Sequence, residues 1–125
     1  MKRIIIGLTA LMSSIMVHAQ MAVDVHTHII LSEYKELLRR HGAELEETFP
    51  LPEWEAENHI SFMDSAGIGC AVLTMPAPQP YYGDGVESAA CIRHVNEVVA
   101  ETKEKHPGRF LFCAALPLPD VDAAI

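Results

Sequence analysis

The sequence predicts an α/β fold organised around a parallel sheet, and three observations point there. Short runs of mostly apolar residues at 22–26, 69–74 and 109–116 have the length of strands. Between them lie segments with apolar residues at helical spacing, closed by glycine or proline. The second and third runs are apolar almost without a break, as strands are when helices cover their sheet. A doubly wound sheet and a barrel both meet this description. No Gly-rich phosphate-binding turn follows the first strand, which weighs against a dinucleotide site.

Taken in order, residues 1–19 read as a secretory signal peptide. Lys2 and Arg3 precede an apolar run at 4–16, and Val17-His18-Ala19 supplies the small residues a signal peptidase needs, with cleavage after Ala19. The run is short for a membrane span, so no stable span is expected after cleavage, and no cysteine follows closely enough for a lipid anchor. A retained hydrophobic anchor is the alternative. The remainder, 20–125, reads as one domain, exported to the periplasm or secreted.

A strand at 22–26 opens that domain. Residues 32–41 read as a helix with Ser32 as N-cap and Gly42 as its stop. Pro50 and Pro52 break the polar stretch that follows, and residues 52–66 read as a second helix ended by Gly67. After the strand at 69–74, the Pro-, Gly- and Tyr-rich segment 75–85 reads as a loop. Cys91, Val95, Val98, Val99 and Thr102 form the apolar stripe of a long helix over 86–106. The third strand is expected at 109–116, and residues 120–125 begin a further helix capped by Asp120.

Composition narrows the function. The chain has 125 residues, half of them hydrophobic. That is enough for one small core but short of the roughly 250 residues of a complete eight-stranded barrel. Its formal charge is −8, and about −10 once Lys2 and Arg3 leave with the signal. Such a surface repels phosphate backbones, so nucleic acid is not an expected partner, while a small-molecule substrate remains open. Cys70, Cys91 and Cys113 are an odd set with no C-x-x-C spacing, and read as small buried hydrophobes rather than a disulfide or zinc ribbon.

The chemistry-bearing segment is Asp24-Val25-His26-Thr27-His28. Residues two apart on a strand share a face, so His26 and His28 present adjacent imidazoles to one small ion. They stand where the first strand meets its loop, the rim on which parallel barrels build their sites. Spacing alone also admits a hydrogen-bonding pair of strand-end histidines. Asp24 reads equally as a support for one histidine or as a residue near the floor of the sheet.

These residues resemble the decarboxylase-like branch of the amidohydrolase superfamily, the group containing aminocarboxymuconate-semialdehyde decarboxylase. The resemblance rests on Asp24-Val25-His26-Thr27-His28, on Met63-Asp64-Ser65-Ala66-Gly67-Ile68, and on Pro107-Gly108-Arg109-Phe110 through Ala114-Ala115-Leu116-Pro117-Leu118-Pro119-Asp120. It implies the N-terminal portion, about three βα units, of a (β/α)8 TIM barrel of the metal-dependent hydrolase type. It also implies His26 and His28 as the first two ligands of one divalent ion, usually Zn²⁺; two imidazoles do not exclude Mn²⁺ or Fe²⁺. The remaining ligands and the catalytic acid or base are expected beyond Ile125. Hydrolysis and non-oxidative decarboxylation of a small carboxylated or carbonyl-containing molecule both follow from such a centre.

Weaker candidates surround this pair. Arg39 and Arg40 could meet a substrate carboxylate, although a solvated helix face is the simpler reading. Met75, Tyr81 and Tyr82 follow the second strand and could line a pocket rim, or pack as ordinary loop residues. His59, His94 and His106 fall on expected helices and are not read as ligands. Two alternatives stand beside the leading function: a PHP-type metal phosphoesterase, which also opens with His-x-His, and a non-catalytic fragment or subunit that needs the rest of a barrel from another chain. A homo-oligomer is compatible with the last.

Overall fold

The computed structural model describes residues 21–43, 45–46 and 49–125. The expected signal peptide lies outside the described residues. Strand β1 (Ala22–His28) leads to helix α1 (Ser32–Arg40), the antiparallel pair β2 (Leu45–Glu46) and β3 (Phe49–Pro50), and helix α2 (Ala56–Ala66). Strand β4 (Ile68–Thr74), helix α3 (Gly85–Lys105), strand β5 (Phe110–Phe112) and the short helix α4 (Val121–Ala124) complete the order. The main sheet runs β1-β4-β5 with both pairings parallel, each crossover passing through a helix.

Local sequence accounts for most boundaries. In α1, Tyr34, Leu37 and Leu38 are buried at the i, i+3, i+4 spacing of one helix face. Arg39 and Arg40 sit in its last turn, where the helix dipole favours cations. Gly42 follows at φ 68°. Gly67 ends α2 in the left-handed region at φ 70°, where a side chain is disfavoured. Asp84 caps α3, its carboxylate accepting from the backbone N–H groups of Val86 and Glu87. Asp120 does the same for Ala123 at the start of α4.

Several expectations need correction. Ser32 is the first helical residue rather than the cap: Leu31 holds that position without a side-chain bond, and the Ser32 hydroxyl turns to Glu33 instead. Helix α2 begins at Ala56, four residues later than expected: Glu55 is its extended N-cap, and just before it the Trp54 N–H ties the chain to the Ile30 carbonyl. Strand β5 stops at Phe112, because both backbone groups of Ala115 are taken by Asn96 of α3. All three cysteines are free, and none is fully buried as expected: Cys70 and Cys91 are half-buried and Cys113 is exposed.

Two clusters form the core. Met63 of α2, Val95 and Val99 of α3, Ala71 and Leu73 of β4, Phe110 of β5 and Ile29 make the first. Ile30, Tyr34, Leu37, Leu38 and Leu51 make the second, with Trp54 packed against both. Truncating a fully buried side chain such as Leu38 to alanine costs about 2–5 kcal/mol. Along β4 the alternate residues Gly69, Ala71 and Leu73 are buried, whereas Cys70 and Val72 on the opposite face are only half-buried. Leu111, the register partner of Val72, is half exposed as well. The sheet is therefore covered by helices on one face, not on both. On the edge strand β1, Val23 is 54% and Val25 72% exposed. Among the described residues no helix is long and apolar enough to cross a membrane.

Candidate metal centre

Both histidines lie on β1, which runs two residues further at its C-terminal end than the expected 22–26. The pairing with β4 shifts register between Asp24 and Thr27, so strict alternation is lost within the motif. The Asp24 carboxylate accepts the His26 backbone N–H at 3.0 Å, which holds the turn of the chain rather than an imidazole.

The two imidazoles nonetheless face one another, with ring centroids 5.1 Å apart and planes at 77°. Two imidazoles sharing a tetrahedral ion at about 2.0–2.1 Å have centroids about 5 Å apart, a spacing that this pair matches. His28 is also oriented. Its Nδ1 lies 2.8 Å from the Thr74 hydroxyl, which in turn donates to the Thr27 carbonyl at 2.9 Å. His26 is exposed and His28 half-buried, leaving the pair open to solvent. Among the described residues no group of three or more His, Cys, Asp or Glu converges on one point. The arrangement brings two imidazoles together at the end of β1, without a third such donor among the described residues.

The weaker candidates are held by other partners. Arg39 makes a two-pronged contact to Glu36 at 2.7 and 2.8 Å, and Arg40 pairs with Glu87 of α3. Glu87 also meets His41 Nε2 at 2.9 Å; the bonds from His41 and then Arg40 hold its carboxyl below the usual carboxylate range. Met75 and Tyr82 pack against the second core cluster, Tyr82 stacking on His41 with centroids 4.3 Å apart. Burial raises the Tyr82 phenol, whose buried hydroxyl has no partner among the described residues. Tyr81 remains exposed. Of the helix histidines, His59 accepts from Trp54, His94 faces Glu33 at 3.5 Å, and His106 faces Glu57 at 3.9 Å. Thr74 went unnoticed in the sequence; its signal was a hydroxyl ending an otherwise apolar strand.

The sheet, its helical crossovers and the histidine pair at the end of β1 define an α/β protein with a candidate site at the rim of its first strand. No family model matches the chain. Among curated proteins it is 35% identical over 109 residues to decarboxylase yanB of Aspergillus niger, covering 82% of this chain and 29% of that one. It is 39% identical over 69 residues to a gamma-resorcylate decarboxylase of a Rhizobium species, covering 54% of this chain and 21% of that one. Among solved structures, amidohydrolase II superposes with a TM-score of 0.78 at 27% identity, covering 82% of this chain and 34% of the other. A 2,6-dihydroxybenzoate decarboxylase complexed with 2,6-dihydroxybenzoate superposes at 0.63 and 29% identity, covering 84% and 33%. A dihydroxybenzoic acid decarboxylase from Polaromonas, solved with manganese and 2-nitroresorcinol, shares the fold at 0.62 and 23% identity, covering 83% and 32%. The chain belongs to the decarboxylase-like branch of the amidohydrolase superfamily. It spans less than a third of the length of the curated relatives it matches.

Proposed function

We propose that this chain forms the first βα units of a (β/α)8 barrel whose complete site is a divalent-metal-dependent, non-oxidative decarboxylase of small carboxylated molecules, hydroxylated benzoates being the first class to test. The observation that carries the reading is the facing His26–His28 pair at 5.1 Å. Decarboxylases among the relatives support the reaction, and a dihydroxybenzoate-bound and a manganese-bound neighbour support the substrate class and the ion. The half-exposed Cys70, Val72 and Leu111 suit a barrel interior, a face that further strands would close.

His26 and His28 would hold the ion, which when bound contributes Lewis acidity toward a substrate oxygen. The chain's own part is to fix two neutral imidazole donors on a paired strand and to keep the rim open for substrate. Breaking the carboxyl C–C bond leaves an electron pair on carbon that must accept a proton, and the donor lies outside the residues assigned so far. Arg39, Arg40, Met75, Tyr81 and Tyr82 stay secondary proposals for substrate contact. Metal analysis after growth with Zn²⁺ or Mn²⁺, comparing the protein with His26→Ala/His28→Ala, tests the site: about one ion is expected in the first and none in the second. Equal content in both would remove the ligand assignment.

A second reading is favoured by the exposure of Val23 and Val25 on edge strand β1. Such an edge pairs readily, so the chain would take the remainder of its barrel from another polypeptide, a second copy included. Sedimentation at several concentrations separates the two; a monomer throughout counts against the second. We also propose export after cleavage at Ala19, which N-terminal sequencing of the extracytoplasmic fraction checks.

A further inference from the structure

We infer that Thr74 is a positioning residue that presents His28 to the metal by dictating which ring nitrogen carries the proton; this rests on the metal-site reading above. Strand register places His28 directly beside Thr74 and Thr27 beside Leu73. The Thr74 hydroxyl thus lies 2.9 Å from the Thr27 carbonyl and 2.8 Å from His28 Nδ1. A hydroxyl has one proton, and a carbonyl oxygen only accepts. The proton therefore goes to Thr27, and the hydroxyl oxygen accepts from His28 Nδ1–H. No other assignment makes both contacts hydrogen bonds. With Nδ1 protonated, the lone pair of the neutral ring is on Nε2, the nitrogen left to ligate. The paired backbone of β1 and β4 holds the threonine in place, so the orientation exists before any ion arrives.

The test uses the full chain labelled with ¹⁵N-histidine, metal-free, at about pH 8. His28 is expected as the Nδ1–H tautomer in the wild type and in Thr74→Ser. Thr74→Val keeps the shape and removes only the hydroxyl, and should release His28 toward the Nε2–H form. Titration with Zn²⁺ should show a loss of affinity of about 10–100-fold in Thr74→Val, restored in Thr74→Ser. Finding His28 as Nε2–H in the wild type overturns the inference, and needs no variant to fold. Unchanged zinc affinity in Thr74→Val, while His26→Ala/His28→Ala abolishes binding, overturns it and leaves the metal site standing. Unchanged binding in the double variant removes the metal site and the inference together.

Discussion

Arg109 donates from its guanidinium to Asp64 at 2.7 Å and to the Gly69 carbonyl at 3.1 Å, joining the end of α2, the start of β4 and the approach to β5. Two stretches that carry the family resemblance thus meet through one side chain. The ion pair is partly solvated, with Asp64 mostly exposed, and is worth at most about 1 kcal/mol. The half-buried bond to Gly69 adds about 1.5–3 kcal/mol as a charge-assisted contact. Arg109→Ala should therefore destabilise clearly more than Asp64→Ala in urea unfolding. Equal losses would mean that the carboxylate, not the carbonyl, is the partner that matters.

Gly67 isolates a backbone effect. It sits at φ 70°, and a Cβ there would meet nothing within 4 Å. Gly67→Ala should cost about 1 kcal/mol through conformation alone, and Gly67→Asn less, because asparagine tolerates the left-handed region better. Denaturant midpoints at constant slope check the order; an alanine variant as stable as wild type would contradict it.

Asn96 holds the chain after β5 by donating to the Ala115 carbonyl and accepting its N–H, both at 2.9 Å. Asn96→Ala should destabilise by about 1–3 kcal/mol and speed hydrogen exchange at the Ala115 amide. Asn96→Asp keeps the acceptor but faces the carbonyl with a carboxylate, and should rescue only the amide. Unaltered exchange in the alanine variant would show the segment is held by other contacts.

Burial is the main cause holding His59 below its ordinary value of 6.5, with Asp24 pulling the other way. Trp54 Nε1–H donates to its Nδ1 at 2.9 Å, an acceptor that protonation removes. Below pH 6.5 the unfolded chain therefore binds a proton that the folded chain refuses. The stability contributed by neutral His59 is complete above that pH and declines as pH falls toward the folded value. Replacing it by His59→Gln should flatten the fall in stability that begins as pH drops below about 6.5. The lowered carboxyls of Glu33 and Glu87 act in a more acid range, below 4.5, so their loss is separable. Parallel profiles for the two proteins would exclude His59 as the source.

The cysteines differ in reach. The Cys91 thiol is pushed up to about 11, first by burial and then by Glu87 and Glu33, whereas Cys113 is exposed. Iodoacetamide at about pH 8 should label Cys113 well before Cys91, since the thiolate is the reactive form. Mass mapping of early time points reads the order.

By itself the sequence determined the succession of main-sheet strands and helices, because apolar periodicity and the glycines at 42 and 67 are local properties of the chain, but it gave no sign of the short pair β2–β3. It also placed the two histidines at the end of the first strand and carried the motifs by which the family is legible. It overextended the third strand, since nothing local announces that Asn96, on a preceding helix, takes the backbone groups of Ala115. It read the apolar runs as strands of a helix-covered sheet, but only packing showed that the helices meet the face of Ala71 and Leu73, because which face a helix meets depends on the crossover and not on the strand. Tertiary structure alone decided which hydroxyl stands beside His28. The parallel register of β1 with β4 brings together residues 46 positions apart, and a hydrogen bond of 2.8 Å across that distance in sequence is a product of strand pairing rather than of any local pattern.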